Sequence, residues 1–224
     1  MDIQETRVLD KGFVRLIDQM GSDERVMEAA RVSTGAQSAD PERDRKLIFF
    51  LVEHGHGTPF EKVVFEFHVK CPLFVARQWF RHRIGSFNER SARYRKFEEE
   101  FYVPDLSAVP NLYSAEDLET YRQALHAAYE TYERLFAKAV KSAAHRSRAR
   151  EIWRGLLGTA YYTEFFWTVN LRSLMNFLKL RTHPSAQHEI RMYADAIAEM
   201  TRRAVPMSYE AFEHFVLSRD THEP

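Results

Sequence analysis

The chain has 224 residues, 45% of them hydrophobic and 13% aromatic, with 17 Phe and 10 Tyr, which is enough apolar mass for a full core and excludes a disordered chain. Lys and Arg number 32 and so do Asp and Glu, which excludes a general polyanion binder, because such proteins carry excess positive charge over a whole face. A single cysteine, Cys71, excludes an internal disulfide and a Cys-rich zinc centre and fits a reducing compartment, so a cytoplasmic location is expected.

The start, Met1 to Arg7, is acidic and polar where a secretory signal would be basic and then apolar, and no apolar window of about 18 residues occurs, so no contact with a membrane is expected. Phe13 to Met20 reads as a strand. Ser22 and Asp23 then offer caps for a helix through Val26, Ala29 and Ala30, ending near Ser33. After a loop at residues 35 to 38, Asp40-Pro41-Glu42 supplies a cap, a proline at the first helical position and an acidic first turn for a helix to His54, which Gly55 stops. Val63, Phe65, Phe67 and Val69 alternate with Glu66, His68 and Lys70, the period of a half-buried strand. Pro72 opens a short helix through Phe74, Val75 and Trp79, ended at Gly85.

Residues 104 to 113, with Pro104, Pro110 and Asn111, read as a loop. Ser114 and Asp117 resemble a capping box. Behind them Leu118, Tyr121, Leu125, Tyr132, Leu135 and Val140 recur at three- and four-residue steps, predicting the longest helix of the chain, to about residue 142. Tyr161 to Val169 is aromatic and β-branched on both faces and suggests a buried strand, although so short an apolar run also suits a helix. Asn170 is placed to cap the next helix, and helices fit Leu171 to Leu180, Ala186 to Arg202 and Tyr209 to Val216. No internal repeat or linker divides residues 1 to 224, so one α+β domain is expected: a mixed or antiparallel sheet flanked by several helices, with one long central helix.

The densest chemistry lies in Arg81-His82-Arg83-Ile84-Gly85-Ser86-Phe87-Asn88-Glu89-Arg90-Ser91-Ala92-Arg93-Tyr94. Arginine stays charged at any working pH and pairs with phosphate through two parallel donors, so six arginines between Arg77 and Arg95 are costly to assemble unless an anion lies among them. A solvated helix end would explain one pair, not six. A second cluster, Asn170, Arg172, Asn176, Lys179 and Arg181, sits opposite Leu171, Leu174 and Leu178 in an ordinary amphipathic pattern. His54-Gly55-His56-Gly57 lacks metal-ligand spacing, so no metal is expected. Phe60 stands where a third glycine belongs, so no Rossmann fold is expected either. Cys71 lies between an apolar strand and Pro72 with nothing evident to lower its pKa, and reads as buried filler.

Arg81-His82-Arg83 followed after seven residues by Ser91 resembles the signature of flavin-dependent thymidylate synthases, which make dTMP from dUMP without a cysteine nucleophile. The stretch Phe165 to Asn170 with Arg172 to Phe177, Leu180 and Arg181 looks like the family's second block. The resemblance implies FAD as cofactor, reduced by NADPH, with methylenetetrahydrofolate as carbon donor. It implies dUMP binding by Gln78, Trp79, Phe80, Arg81, Glu89, Arg90, Ser91, Ala92, Arg93, Arg154 and Arg181, and FAD contacts from Thr58, Arg81, His82, Arg83, Glu89, Asn170, Leu171, Arg172 and Asn176. His56 would lie near the folate or flavin ring. Arg181 would activate the uracil by stabilising its N3-ionised form, and family members are homotetramers with active sites at subunit interfaces. Several positions depart from the pattern: Gly158 replaces a frequent proline, and Thr182-His183-Pro184-Ser185 replaces a segment that often reads Ala-Asp-Ser-His. The rival reading is a single-strand nucleic-acid module stacking bases on Trp79, Phe80, Phe87 and Tyr94, against which zero net charge speaks. A third is a flavoprotein with another nucleotide substrate.

Overall fold

The computed structural model describes residues 4–32, 35, 40–91, 93–94, 96–106, 112–138 and 143–218. Five strands, β1 (Gln4–Val8), β2 (Gly12–Met20), β3 (Val64–Pro72), β4 (Ser86–Glu89) and β5 (Tyr162–Asn170), form one sheet in the order β1-β2-β3-β5-β4 with every pairing antiparallel. The α-helices among the described residues are α1 (Asp23–Arg31), α2 (Pro41–Glu53), α3 (Leu73–Trp79), α4 (Ala115–Lys138), α5 (Ala143–Trp153), α6 (Leu171–Thr182), α7 (His188–Ala204) and α8 (Pro206–Phe212). This is the α+β class expected, and none of these helices is long and apolar enough to cross a membrane.

The alternation read in β3 sets the layering. Phe65, Phe67, Val69 and Cys71 point to one face, with Phe165, Trp167 and Val169 of β5 and Val14 and Leu16 of β2, and all are buried. Onto that face pack Val75 and Trp79 of α3, Leu174, Phe177 and Leu178 of α6, and Ile190, Tyr193 and Ile197 of α7. β5 is a strand, as preferred over a helix, but it is not buried on both faces. Phe166 points outward, exposed at 39%, and stacks on His68 at 4.5 Å. Aromatic pairing across the register, where His68 faces Phe166, explains the apolar residue on the open side.

Most end signals operate as read. Asp40 Oδ1 accepts from the Glu42 amide at 3.0 Å, and Gly55 takes the left-handed conformation, φ 69°, that ends α2. Ser114 and Asp117 form a reciprocal box, amide to Asp117 Oδ2 at 2.8 Å and Asp117 amide to Ser114 Oγ at 3.1 Å. Asn170 Oδ1 accepts from the Ser173 amide at 2.9 Å. Asp23 does otherwise: it is buried and accepts from the Met207 and Ser208 amides at 2.8 and 3.0 Å, so it caps α8 from across the fold rather than its own helix. α8 starts at Pro206, earlier than read, and passes into a π-helical turn at Glu213–Leu217. The sequence reading missed β1, β4 and α5. The expected helix end near Ser33, the loop at 36 to 38, residues 107 to 111 and the end of the long helix at 139 to 142 lie outside the described residues.

The long helix α4 buries Tyr132 and joins a second apolar cluster, where Leu125 and Tyr129 pack against Phe101, Ala160 and Tyr161. Gly12, at the start of β2, lies directly under Tyr193 of α7. A methyl group there would collide with the Tyr193 hydroxyl and come within 2.7 Å of the Lys70 and Val8 carbonyl oxygens. That hydroxyl donates to the Lys70 carbonyl at 2.8 Å. Gly12→Ala is expected to destabilise by about 3 kcal/mol, the upper range for overpacking, seen as a lowered urea midpoint at fixed protein concentration.

Candidate active site

The arginine segment begins where α3 ends. The helix turns Val75, Ala76 and Trp79 inward and leaves Arg77 exposed, with Gln78 half-buried. A tight turn then closes through the Arg81 amide on the Gln78 carbonyl, 3.3 Å, and the His82 amide on the Trp79 carbonyl, 2.9 Å. Its effect is alternation: Arg81 and Arg83 stand exposed, while His82 is half-buried and meets the Phe177 ring edge to face at 4.9 Å. Beyond Gly85 the chain joins the sheet as β4, pairing Ser86 with Thr168 and Glu89 with Phe165.

Between this turn and α6 lies a cleft of about 570 Å³, lined among others by Glu61, Arg81, His82, Arg83, Arg172, Asn176 and Arg181. Four arginines face one carboxylate. Arg172 is paired with that carboxylate, Glu61, at 2.6 Å, and neither Arg81 nor Arg83 has an ion-pair partner among the described residues. Arg181 donates from Nε to His82 Nε2 at 3.0 Å and from Nη2 to the Gln78 carbonyl at 3.4 Å. Burial, and then the Arg181 charge, pull the His82 pKa down to about 4. The ring is therefore neutral at pH 7, and its Nε2 lone pair serves as acceptor. Burial also lowers the Arg181 pKa.

Arg81 and Arg181 also line a second cleft of about 660 Å³ with Phe74, Arg77, Gln78, Phe80 and Thr159, so these two side chains form the wall between the two spaces. A third cleft, about 450 Å³, is lined by Glu89, Arg90, Ser91, Arg154 and Thr163 among others. There Thr163 donates to Glu89 at 2.8 Å, Arg90 stands 3.6 Å from Glu98 and from Glu164, and the buried Arg90 Nη2 has no hydrogen-bond partner. An orphaned guanidinium nitrogen beside an open cleft marks a place for an acceptor oxygen. A fourth cavity, about 360 Å³ and largely apolar, has Arg172 and Asn176 in common with the first and is closed by Leu51, His56, Gly57, Phe60, Met175 and Phe212. A methyl at Gly57 would lie 2.6 Å from Arg172 Nε, so glycine lets that side chain cross the loop. Thr58 is exposed next to it.

Several expected site residues are placed elsewhere. Trp79 is wholly buried and stacked on Phe177 at 4.9 Å, with Phe165, Trp167 and Tyr193 around it, so its side chain is core and not a substrate contact or a stacking platform for nucleic acid. Leu171 is likewise fully buried, and its amide is taken by the Val63 carbonyl at 2.8 Å, which leaves no side-chain contact to FAD. Both sit on the inward face of their helices, α3 and α6, where packing demand outranks motif membership. Asn170 spends its side-chain oxygen on the cap of α6. Arg93 pairs with Glu151 of α5 at 3.1 Å and lines none of the four clefts, and Ala92 lies outside the described residues. His183 holds Ser185 Oγ at 2.7 Å and closes the turn after α6. Cys71 is buried, and burial raises its pKa well above the ordinary thiol value. Glu61 and Thr163 were missed by the sequence reading, because their roles depend on β3 and β5 bringing distant segments together.

The description "thymidylate synthase complementing protein" belongs to a family model that matches residues 15–207. A flavin-dependent thymidylate synthase of Thermosipho africanus is 47% identical over 96% of this chain and 97% of its own length. One of Thermus thermophilus is 47% identical over 94% of this chain and 78% of its own. Among solved structures, a UMP/dUMP methylase from Streptomyces cacaoi bound with 5-Br dUMP superposes with a TM-score of 0.83 at 34% identity, covering 95% of this chain and 99% of that one. With the arginine turn, the capped α6 and the buried cysteine in place, these likenesses show that the chain belongs to the flavin-dependent thymidylate synthase family.

Proposed function

We propose that the protein converts dUMP to dTMP, taking the carbon from methylenetetrahydrofolate and the hydride from FAD reduced by NADPH, with no covalent enzyme nucleophile. The observation that carries this reading is Arg181, a cation fixed by two neutral acceptors on the wall between two clefts. Methylating C5 of a uracil requires electron density at that carbon, and density rises when the pyrimidine is drawn toward its N3-ionised, enolate-like form. Preorganised donors at N3 and O2 favour that form. A thiolate attack at C6 would serve the same end, but the Cys71 thiol is sealed in the core with its ionisation suppressed.

The residues fit FAD. Its diphosphate is matched by Arg81 and Arg83, which carry uncompensated charge beside the paired Arg172, and Gly57 keeps the loop low enough for Arg172 to lie across the cleft. Arg81, His82, Arg83, Arg172 and Asn176 would hold it, with Thr58 at the rim and Glu89 reaching it from a second copy. Reduced FAD, when bound, supplies the hydride that completes the methyl group. The chain's own part is to bind, orient and polarise the pyrimidine.

The proposed dUMP residues fall into two sets: Gln78, Phe80, Arg81 and Arg181 around the second cleft, and Glu89, Arg90, Ser91 and Arg154 around the third. The two linings share no residue. One nucleotide meets both sets if two copies of the chain face each other, which supports the homotetramer reading, with the orphaned Arg90 Nη2 turned to phosphate.

Anaerobic NADPH added to the FAD-loaded protein should bleach the flavin, and dUMP with methylenetetrahydrofolate should then reoxidise it as dTMP appears. A protein that takes up no flavin would overturn the reading, and parallel reactions with UMP show whether the ribonucleotide is also methylated. Arg181→Ala should retain flavin yet lose about a hundredfold in turnover, since one preorganised donor contributes about 3 kcal/mol to the barrier. Cys71→Ala should leave turnover per folded molecule unchanged, which single-turnover assays normalised to bound flavin would measure.

A further inference from the structure

We propose that His82 is the positioning residue of Arg181, accepting its Nε–H so that the guanidinium is held in one orientation toward the nucleotide without losing its charge. The inference rests on the synthase reading for what Arg181 does, and on geometry alone for what His82 does.

The contact is directional. A guanidinium carries its donors in a rigid plane, so fixing Nε fixes the direction of both terminal nitrogens. His82 Nε2 takes the Nε–H at 3.0 Å and the Gln78 carbonyl takes one Nη2 hydrogen at 3.4 Å, which anchors two of the five donors and leaves three for a ligand. The Gln78 carbonyl belongs to the last turn of α3, where the helix dipole is negative; it already takes the Arg81 amide at 3.3 Å, and Arg181 adds a second, charged donor to it. The imidazole is itself held by the Phe177 ring at 4.9 Å and by the turn that closes on Trp79. A carboxylate in this place would orient Arg181 but neutralise it, as Glu61 does for Arg172 and Glu151 for Arg93. A neutral imidazole orients and leaves the charge to the substrate. Nε2 accepts only if the proton sits on Nδ1, so one tautomer is required.

Two variants separate the roles of the ring and of the acceptor. His82→Phe keeps an aromatic face against Phe177 and removes the lone pair, while His82→Gln offers an oxygen at about the reach of Nε2. At saturating FAD, dUMP, folate and NADPH, His82→Phe should lower kcat by up to about a hundredfold, the cost of a misplaced catalytic group, and His82→Gln should recover most of it. In an Arg181→Lys background, where no Nε–H donor remains, His82→Phe should cost little further. Equal loss in the Phe and Gln variants, full additivity with Arg181→Lys, or a His82→Phe loss confined to subsaturating FAD with kcat unchanged at saturation would overturn the proposal and leave His82 as packing or a flavin contact. A second readout needs no turnover. Nitrogen NMR of histidine-labelled protein without flavin should show His82 neutral and protonated at Nδ1 at pH 7, with that signal changed by Arg181→Lys, whereas an Nε2-protonated ring in the wild type would refute the hydrogen bond. Absence of dTMP formation by the wild type with the Nδ1–H signal present would refute the synthase reading and leave the contact standing.

Discussion

The antiparallel ladder between β3 and β5 sets the position of everything that matters in the site. Nine residue pairs, from Val64 with Asn170 to Pro72 with Tyr162, place the end of β3 beside the start of β5. Because each strand runs straight into a helix, α3 leaves one end of the ladder and α6 leaves the other. A ladder of this length spans about 30 Å. α3 advances about 10 Å and the part of α6 up to Arg181 about 16 Å, so helices launched from opposite ends and folded onto the same face meet near its middle. The meeting point is Trp79 stacked on Phe177, with His82 beside the same phenylalanine and Arg181 one turn further on. A shift of one residue in this register would turn Phe65, Phe67, Phe165 and Trp167 to the outer face, so burial of four large aromatic residues enforces the geometry of a polar contact.

How much of this could be read from the chain depended on whether a segment's partner was local. Caps and stops act within a few residues, and Asp40, Gly55, Ser114 and Asn170 all work where the sequence places them. β1 and β4 were not legible. β1 has four of its five residues exposed, and in β4 every residue but the half-buried Phe87 is exposed, so neither carries an alternating pattern, and both exist because β2 and β5 offer them free edges. α5 was hidden by its arginines, since Arg146, Arg148 and Arg150 give it no apolar stripe. Asp23 was misjudged for the same kind of reason: its partners lie at Met207 and Ser208, far along the chain.

The candidate site was legible by motif and not by face. The arginine turn announced an anion, and the structure sorts its members by what their helix or strand demands. Trp79 and Leu171 belong to the recognised blocks, yet the inward side of α3 and of α6 claims them for packing. Arg81 and Arg83 emerge at the clefts because the turn after Phe80 alternates sides, and Arg181 reaches the same clefts from the last turn of α6. The division of the proposed nucleotide contacts between two clefts was invisible in one linear sequence, since it depends on where α3, β4 and α6 end up in the folded chain.

Charge neutrality over the whole chain, 32 against 32, conceals a graded use of arginine. Arg93 and Arg172 are matched with carboxylates, so much of their charge is already compensated. Arg90 is split between two distant carboxylates, each 3.6 Å away, with one nitrogen left unsatisfied. Arg181 has no carboxylate partner in its hydrogen bonds, only a neutral imidazole and a backbone carbonyl. Electrostatic stabilisation of a developing anion is greatest when the cation is fixed, partly withdrawn from water and not already neutralised. Ranked in that way, Arg181 is better placed than Arg90, Arg93 and Arg172 to stabilise an anion, while Cys71, buried and with its ionisation suppressed, is poorly placed to offer a thiolate.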